Sequence, residues 1–343
     1  MRDTLIRRKH EHLKWSASQK AAMRRSGGFD RWEFQHRALP ELSLQEIDTS
    51  TSFLGQPLQV PLLISSMTGG TAEARRVNQN LARAAQRVGA AMAVGSQRIM
   101  LEDPSTRPSF MVVREIAPHI LLYGNLGAVQ LNYGLGPSDI ERACREIGAD
   151  GMFIHLNPLQ EAIQAEGDTD FRGLLDRIGL VTGAVPFPIL VKEVGAGIDA
   201  DTARALATHG VAAIDVSGAG GTSWARIEGL RANDPRRARL GSVFGEWGIP
   251  TVDALRACRR ALPDHPLIAS GGIRTGLDAA KALALGASLV ALAAPLLEPA
   301  RESAEAVIDA LNGIVTELRI AMFVTGAPDI AALRRQRLRM ARP

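Results

Sequence analysis

Eight short apolar runs recur along this chain, and each stops on a glycine, a small polar residue or a charged side chain. They read LLISSM (62–67), AMAVG (91–95), LLYGN (121–125), GMFIHLN (151–157), ILVKE (189–193), AAIDVSG (212–218), PLIASGG (266–272) and SLVALA (288–293). Continuous Val/Ile/Leu/Ala runs of this length suit strands whose two faces are both covered. Most are separated by segments with helical periodicity, so the units are βα and the sheet they build is parallel. Eight such units predict an α/β protein folded as a closed (β/α)8 TIM barrel, with its chemistry where the strands end. Those ends carry Ser66-Met67-Thr68, Ser96-Gln97-Arg98, Asn125, His155 with Asn157, Lys192-Glu193, Ser217, Gly271-Gly272 and Ala293-Ala294. This polar ring is the expected active site.

A barrel of roughly 250 residues leaves part of the 343-residue chain for extensions. The expected division is an N-terminal extension over the barrel (1–60), the barrel itself (61–325) and a basic C-terminal tail (326–343). The extension holds too little apolar material for a core of its own. A helix is predicted from about Thr71 to Val88, with Ala74, Val77, Leu81, Ala85 and Val88 on one face. Ser138-Asp139 and Asp199 to Asp201 supply N-cap residue types for later helices. The charged, glycine-punctuated stretch between Trp224 and Pro250 reads as a long loop, and 299–323 as one amphipathic helix closing the barrel wall.

Composition narrows the function. The two cysteines, Cys144 and Cys258, fall inside predicted helices without CxxC spacing, so they read as plain buried thiols. A net charge of +4 favours anionic ligands. The C-terminal arginines (Arg334, Arg335, Arg337, Arg339, Arg342) lack the interleaved aromatics of a nucleic-acid groove and read as a solvated face or tail. No apolar run approaches the ~20 residues of a membrane span, and the first residues lack a signal-peptide core, so a cytoplasmic protein is expected.

ASGGIRTG (269–276) follows the seventh strand and opens a helix near Leu277. Glycines let the backbone approach an oxyanion, and the helix amides point at it. Barrels commonly hold a phosphate between the loops after strands seven and eight. The predicted cradle is therefore Gly271, Gly272 and Arg274, with Ala293 and Ala294 as its other wall. SGAGGTSW (217–224) supplies a second glycine loop with Ser217 and Thr222. A phosphorylated cofactor would lie across the mouth, and flavin mononucleotide (FMN) suits the remaining groups. Ser66, Met67 and Thr68 would sit beside a planar ring, Ser96 and Asn125 would bond its pyrimidine edge, and Lys192 would offset charge near N1. A lysine buried there without an anion would be costly, which leaves a salt bridge to Glu193 or Asp215 as the alternative role. No GxGxxG follows a strand, so a dinucleotide is not held in that manner.

RRKHEHL (7–13), SSMTGG (65–70), VGSQR (94–98), GNLGAVQL (124–131), HLNPLQEAIQ (155–164), GDTDF (167–171), VKEVG (191–195), DVSGAGGTSW (215–224), GIPT (248–251) and ASGGIRTG resemble the type 2 isopentenyl-diphosphate delta-isomerases. HLNPLQE and GAGGTSW together are specific to that family, whereas SGGIR is shared with several FMN barrels. The resemblance implies an enzyme that interconverts isopentenyl and dimethylallyl diphosphate with reduced FMN, Mg²⁺ and NADPH as reductant, assembled as a homo-oligomer (tetramer or octamer). It places Arg8, Lys9, His12 and Arg98 on the substrate diphosphate, with Asn157 and Gln160 reaching the same cavity. Glu161 becomes the Mg²⁺ ligand, and Gln160 and His155 the catalytic side chains. No side chain in these motifs is an obvious strong acid, so flavin N5 is the expected principal acid/base, with Gln160 relaying or orienting. Two other readings are an FMN-dependent oxidoreductase of the 2-hydroxy-acid oxidase or IMP-dehydrogenase-like barrels, and a non-catalytic phosphate-ligand barrel. The first would need a histidine with paired arginines late in the barrel, or a loop cysteine; no histidine lies in the loops after strands six or seven, and both cysteines fall in helices.

Overall fold

The computed structural model describes residues 2–16 and 18–341, the side chains of residues 2–6 excepted. All eight apolar runs become strands: β1 (Leu62–Ile64), β2 (Ala91–Ala93), β3 (Leu122–Gly127), β4 (Gly151–His155), β5 (Ile189–Lys192), β6 (Ala213–Asp215), β7 (Leu267–Ala269) and β8 (Leu289–Leu292). They pair in parallel, in chain order, and β8 closes on β1. The ladder sets neighbours at one level: Gly127 opposite His155, His155 opposite Lys192, and Lys192 opposite Asp215. Several strands end sooner than their apolar runs. The released residues, such as Ser66 and Ser217, belong to loops instead.

Alternation along each strand sorts its residues between two cores. Leu63, Ala91, Ala93, Tyr123, Phe153, Leu190, Ala213, Ile268, Leu289 and Ala291 fill the barrel interior. Leu62, Ile64, Met92, Leu122, Met152, Ile154, Val191, Ile214 and Val290 face the outer helices. Small residues lie among large ones inside, so Tyr123 stacks edge-on between Phe53 and Phe153. Phe53 and Leu58 come from an antiparallel hairpin of the N-terminal extension, Thr51–Phe53 with Gln56–Leu58. Its two-residue turn, Leu54-Gly55, has positive φ at both positions, the geometry that matches strand twist. The hairpin plugs the barrel floor.

The predicted first helix is observed as Ala72–Val88, with the Thr71 hydroxyl accepting from the Ala74 N–H. Asp199 caps Ala200–Thr208 as expected. Ser138 and Asp139 do not cap. They lie in the first turn of Pro137–Glu146, where the Asp139 carboxylate accepts from the Gly136 N–H. The span 299–323 is two helices, Ala294–Glu302 and Ala304–Thr325, divided at Ser303, which caps the second. Both cysteines are free and buried in helices.

Two larger expectations fail for identifiable reasons. The stretch after Trp224 is not a loop but a helical pair, Trp224–Arg231 and Pro235–Val243, capped by Ser223 and Asp234. Its glycines mark a contact: a β-carbon on Gly241 would lie 2.5 Å from the Gly229 α-carbon. The C-terminal segment is not loose either. Helix Ile330–Arg334 is followed by Leu338–Met340, which pairs antiparallel with Trp32–Phe34. Arg334, Arg335, Arg337 and Arg339 are exposed, as expected, and Arg342 lies outside the described residues. No helix among the described residues is long and apolar enough to cross a membrane.

Tyr123 is fully buried, yet its hydroxyl has no hydrogen-bond partner. Burial lifts its pKa well above the ordinary phenol value. Tyr123→Phe therefore removes a desolvated polar group and should stabilise the fold by roughly 1 kcal/mol, about 2 °C in a chain of this length. Thermal unfolding decides it, and a lowered midpoint refutes it.

Candidate active site

One cleft opens at the carboxyl ends of the strands and encloses ≈ 230 Å³. Every residue given a binding or catalytic role from the sequence lines it, whereas Gln97 and Glu193 of the polar ring do not. Its roof is the N-terminal helix Arg2–Ser16, from which Arg8, Lys9, His12, Leu13 and Ser16 face the cavity. Spacings of four and eight place Arg8, His12 and Ser16 on one helical face. Lys9 Nζ donates to the Ser96 carbonyl at 3.1 Å, tying the roof to the end of β2.

The β1 turn is held from outside. Asn78 Nδ2 donates to the Ser109 carbonyl at 2.8 Å and to the Thr68 carbonyl at 3.4 Å. Gln97 is buried behind β2, where its Oε1 accepts the Asn125 N–H and its Nε2 donates to the Ala143 carbonyl. Asn125 is thereby fixed, and its Oδ1 lies 3.0 Å from His155 Nδ1, so that nitrogen carries the proton. Burial, with Lys192 and Lys9 nearby, depresses the His155 pKa to about 3. The imidazole is neutral.

Past β4, Asn157 has φ −147° and ψ 45°, neither fully extended nor helical, and it precedes the helix Pro158–Ile163. Its Nδ2 donates to Glu161 Oε1 at 2.8 Å and to Gln160 Oε1 at 3.2 Å. Glu161 Oε2 accepts the Asp168 N–H at 2.8 Å. Burial still raises the Glu161 carboxyl above its ordinary range against those two bonds. Asp168 also receives Arg98 and Gln130, each at 2.9 Å.

A buried network that the sequence reading missed stands behind Gln160. Glu228 Oε1 accepts from Gln160 Nε2 at 3.0 Å and lies 2.8 Å from His12 Nε2. Its other oxygen pairs with Arg231, which also binds Glu11 at 3.0 Å. Burial would raise the Glu228 carboxyl, but the His12 and Gln160 bonds and the Arg231 charge bring it below its usual value. Trp224, Glu228 and Arg231 share one helical face. Reading 225–247 as a loop hid that signal.

At β5, Lys192 is buried and donates to the Glu193 carbonyl at 2.8 Å. Desolvation lowers its pKa, while the charges of Asp215 and Glu193 oppose that shift. Glu193 Oε2 in turn accepts the N–H groups of Val194, Gly195 and Ala196. Asp215, wholly buried, receives Ser270 Oγ at 2.7 Å and the Ser217 N–H at 3.1 Å. Ser217 is one of three non-glycine residues with positive φ among the described residues, at 41°. Such a conformation costs energy and persists only where neighbours impose it.

The loops after β6 and β7 interlock. A β-carbon on Gly271 would lie 2.0 Å from the Gly218 carbonyl oxygen, and one on Gly221 would lie 2.8 Å from the Gly272 nitrogen. Gly271 and Gly272 take φ of 98° and 73°, so side chains are excluded twice over. The N–H groups of Gly221, Thr222, Gly272 and Ile273 have no acceptor among the described residues, and all four residues line the cleft. These donors suit a phosphate. Ser66 Oγ, buried nearby without a partner, and cationic Lys192 suit a flavin ring edge. Mg²⁺ would find Glu161 and the unpartnered Asn157 Oδ1 as hard oxygens. No group of three His, Cys, Asp or Glu side chains gathers among the described residues, so further ligands would come from substrate or water. The residues present fit both groups.

Glu193→Ala would leave three N–H groups without an acceptor and take one of two neighbouring carboxylates from Lys192. Urea unfolding should show a loss of at least about 2 kcal/mol. An unchanged midpoint would show that the carboxylate is dispensable.

The sequence profile of the FMN-dependent dehydrogenase family matches residues 1–104 and 158–340. An isopentenyl-diphosphate delta-isomerase of Synechococcus sp. is 58% identical over 308 residues, covering 90% of this chain and 88% of that protein. One from Stutzerimonas stutzeri is 49% identical over 338 residues, 98% of both. Among solved structures, flavocytochrome b2 matches with TM-score 0.71 and 18% identity over 96% of this chain and 82% of that one. A mandelate oxidase matches with TM-score 0.69 and 18% identity over 98% and 99%. Those two share the fold alone.

Proposed function

The chain belongs to the isopentenyl-diphosphate delta-isomerases, within the FMN-dependent dehydrogenase family, and from that premise we propose how its cleft interconverts isopentenyl and dimethylallyl diphosphate in isoprenoid biosynthesis. One observation carries the reading. A single cleft has two anion-seeking ends, the basic roof of Arg8 and Lys9 with His12 as a hydrogen-bonding neighbour, and the unpaired amides of the two glycine loops. One end receives the substrate diphosphate and the other the FMN phosphate, which leaves an apolar alkene facing a ring between them.

Arg8, Lys9, His12 and Arg98 bind the diphosphate, and Glu161 with Asn157 would hold Mg²⁺, which would supply positive charge to that anion. Gly271, Gly272, Arg274, Ala293, Ala294, Ser217 and Thr222 enclose the cofactor phosphate. Ser66, Met67, Thr68, Ser96 and Asn125 border the ring, and Lys192 offsets negative charge at its pyrimidine edge. Reduced flavin, regenerated by NADPH, supplies when bound a proton-exchanging nitrogen and an electron-rich face. His155 stays uncharged beside the reacting carbons, where a second cation would raise the energy of a carbocationic transition state. Gln160 is held at both ends, donating to Glu228 and accepting from Asn157, so its amide orients the alkene or relays a proton. The oligomer is proposed as a tetramer or octamer on the resemblance alone.

An anaerobic mixture of the protein with isopentenyl diphosphate, FMN, Mg²⁺ and NADPH should yield dimethylallyl diphosphate. Absence of product sinks the reading. In the same assay Glu161→Gln should lose at least about tenfold in turnover while FMN affinity, read by flavin fluorescence, stays unchanged. Full turnover without added magnesium would remove Glu161 from the metal.

Lys9 adds a pH dependence. Burial, and then Arg8, lowers its pKa from 10.5 to about 7. Its charge is therefore present in acid and lost as pH rises through neutrality. Calorimetric affinity for inorganic pyrophosphate should fall more steeply between about pH 6 and pH 8 in the wild type than in Lys9→Arg, which keeps its charge. Parallel curves would contradict the assignment.

A further inference from the structure

Thr251 ends the GIPT run, the one motif without a task in the scheme above, and it does not line the cleft. It is fully buried and opens the helix Thr251–Ala261. Its hydroxyl has one proton to give. The nearest acceptor is the Gly271 carbonyl at 2.6 Å, with the Ser270 carbonyl at 3.2 Å and that of Ala219 at 3.4 Å. Its backbone N–H donates to the Ala219 carbonyl at 3.2 Å. One residue thus grips a carbonyl from each glycine loop.

The consequence follows from peptide geometry. In a trans peptide the C=O and the next N–H point in opposite directions. Holding the Gly271 carbonyl outward therefore turns the Gly272 N–H the other way, and that N–H is among the donors left unpaired at the cleft. No side chain at these glycines can hold the plane. The loops cannot shift past one another to compensate, since a β-carbon on Gly218 would lie 2.3 Å from the Thr251 α-carbon. From the far side, Val252 N–H donates to the Gly27 carbonyl at 2.9 Å, which fixes the start of this helix against the N-terminal extension.

We propose that Thr251 is a positioning residue for the cofactor phosphate: its hydroxyl sets the Gly271–Gly272 peptide plane so that the amide faces the anion. This rests on the reading that the FMN phosphate lies between the two glycine loops. The test compares two flavins that differ only in that phosphate. Apo-protein is titrated with FMN and with riboflavin, following flavin fluorescence, for the wild type, Thr251→Val and Thr251→Ser. Thr251→Val should weaken FMN roughly tenfold and riboflavin by less than about twofold, and Thr251→Ser should restore FMN. The phosphorus-31 resonance of bound FMN should move toward that of free FMN in the Val variant alone. Equal losses for both flavins, or undiminished FMN affinity in Thr251→Val, would overturn the proposal. If Thr251→Val does not fold, Thr251→Cys, with its weak donor, carries the same comparison against Thr251→Ser. A wild type that binds FMN no better than riboflavin would instead defeat the underlying phosphate assignment, which separates the two failures.

Discussion

The parallel ladder sets His155, Lys192 and Asp215 side by side, and that register governs the chemistry of the mouth. Each side chain arrives on a strand covered on both faces, so none can move without disturbing a packed barrel. A lysine in such a place keeps its charge only if anions share the burial. Asp215 from the next strand and Glu193 from its own do so, and the carboxylates are in turn held by backbone N–H groups and Ser270. Burial, and then the charges of Lys192 and Lys9, keeps His155 neutral. Fixed charges and one uncharged imidazole thus stand side by side at the mouth.

Around this rigid ring the chain arranges parts that it brings from far away. The roof helix comes from the first residues, the Glu228 network from the helical pair after β6, and the floor from the hairpin at residues 51–58. Glu228 joins the roof to Gln160 through His12, so the N-terminal helix and the helix after β4 share one buried carboxylate. Polar groups enclosed this thoroughly specify a single arrangement, because any alternative leaves some of them unpaired.

The barrel was legible because eight doubly covered strands write continuous apolar runs, and because strand ends in such a fold must carry the polar groups. The cleft residues at strand ends were legible for the same reason, whereas Arg8, Lys9, His12, Gln160 and Glu161 lie on helices and were reached only through the family resemblance. Glu228 and Arg231 were not legible, since the glycines at 229 and 241 look like turn residues until the two helices are seen to touch there. The pairing of Trp32–Phe34 with Leu338–Met340 was invisible for another reason: three-residue edge strands carry no periodicity, and their partners lie some three hundred residues apart. Thr251 had no readable role at all, because its meaning lies in two carbonyls contributed by other loops.

That last pairing bears on how the molecule comes into being. As the polypeptide leaves the ribosome, the segment that follows the roof helix finds its strand partner only after nearly the whole barrel has been made. The chain beyond the roof is thus pinned late in synthesis, by a basic stretch that lines no part of the cleft, so that trimming the far end would unpair Trp32–Phe34.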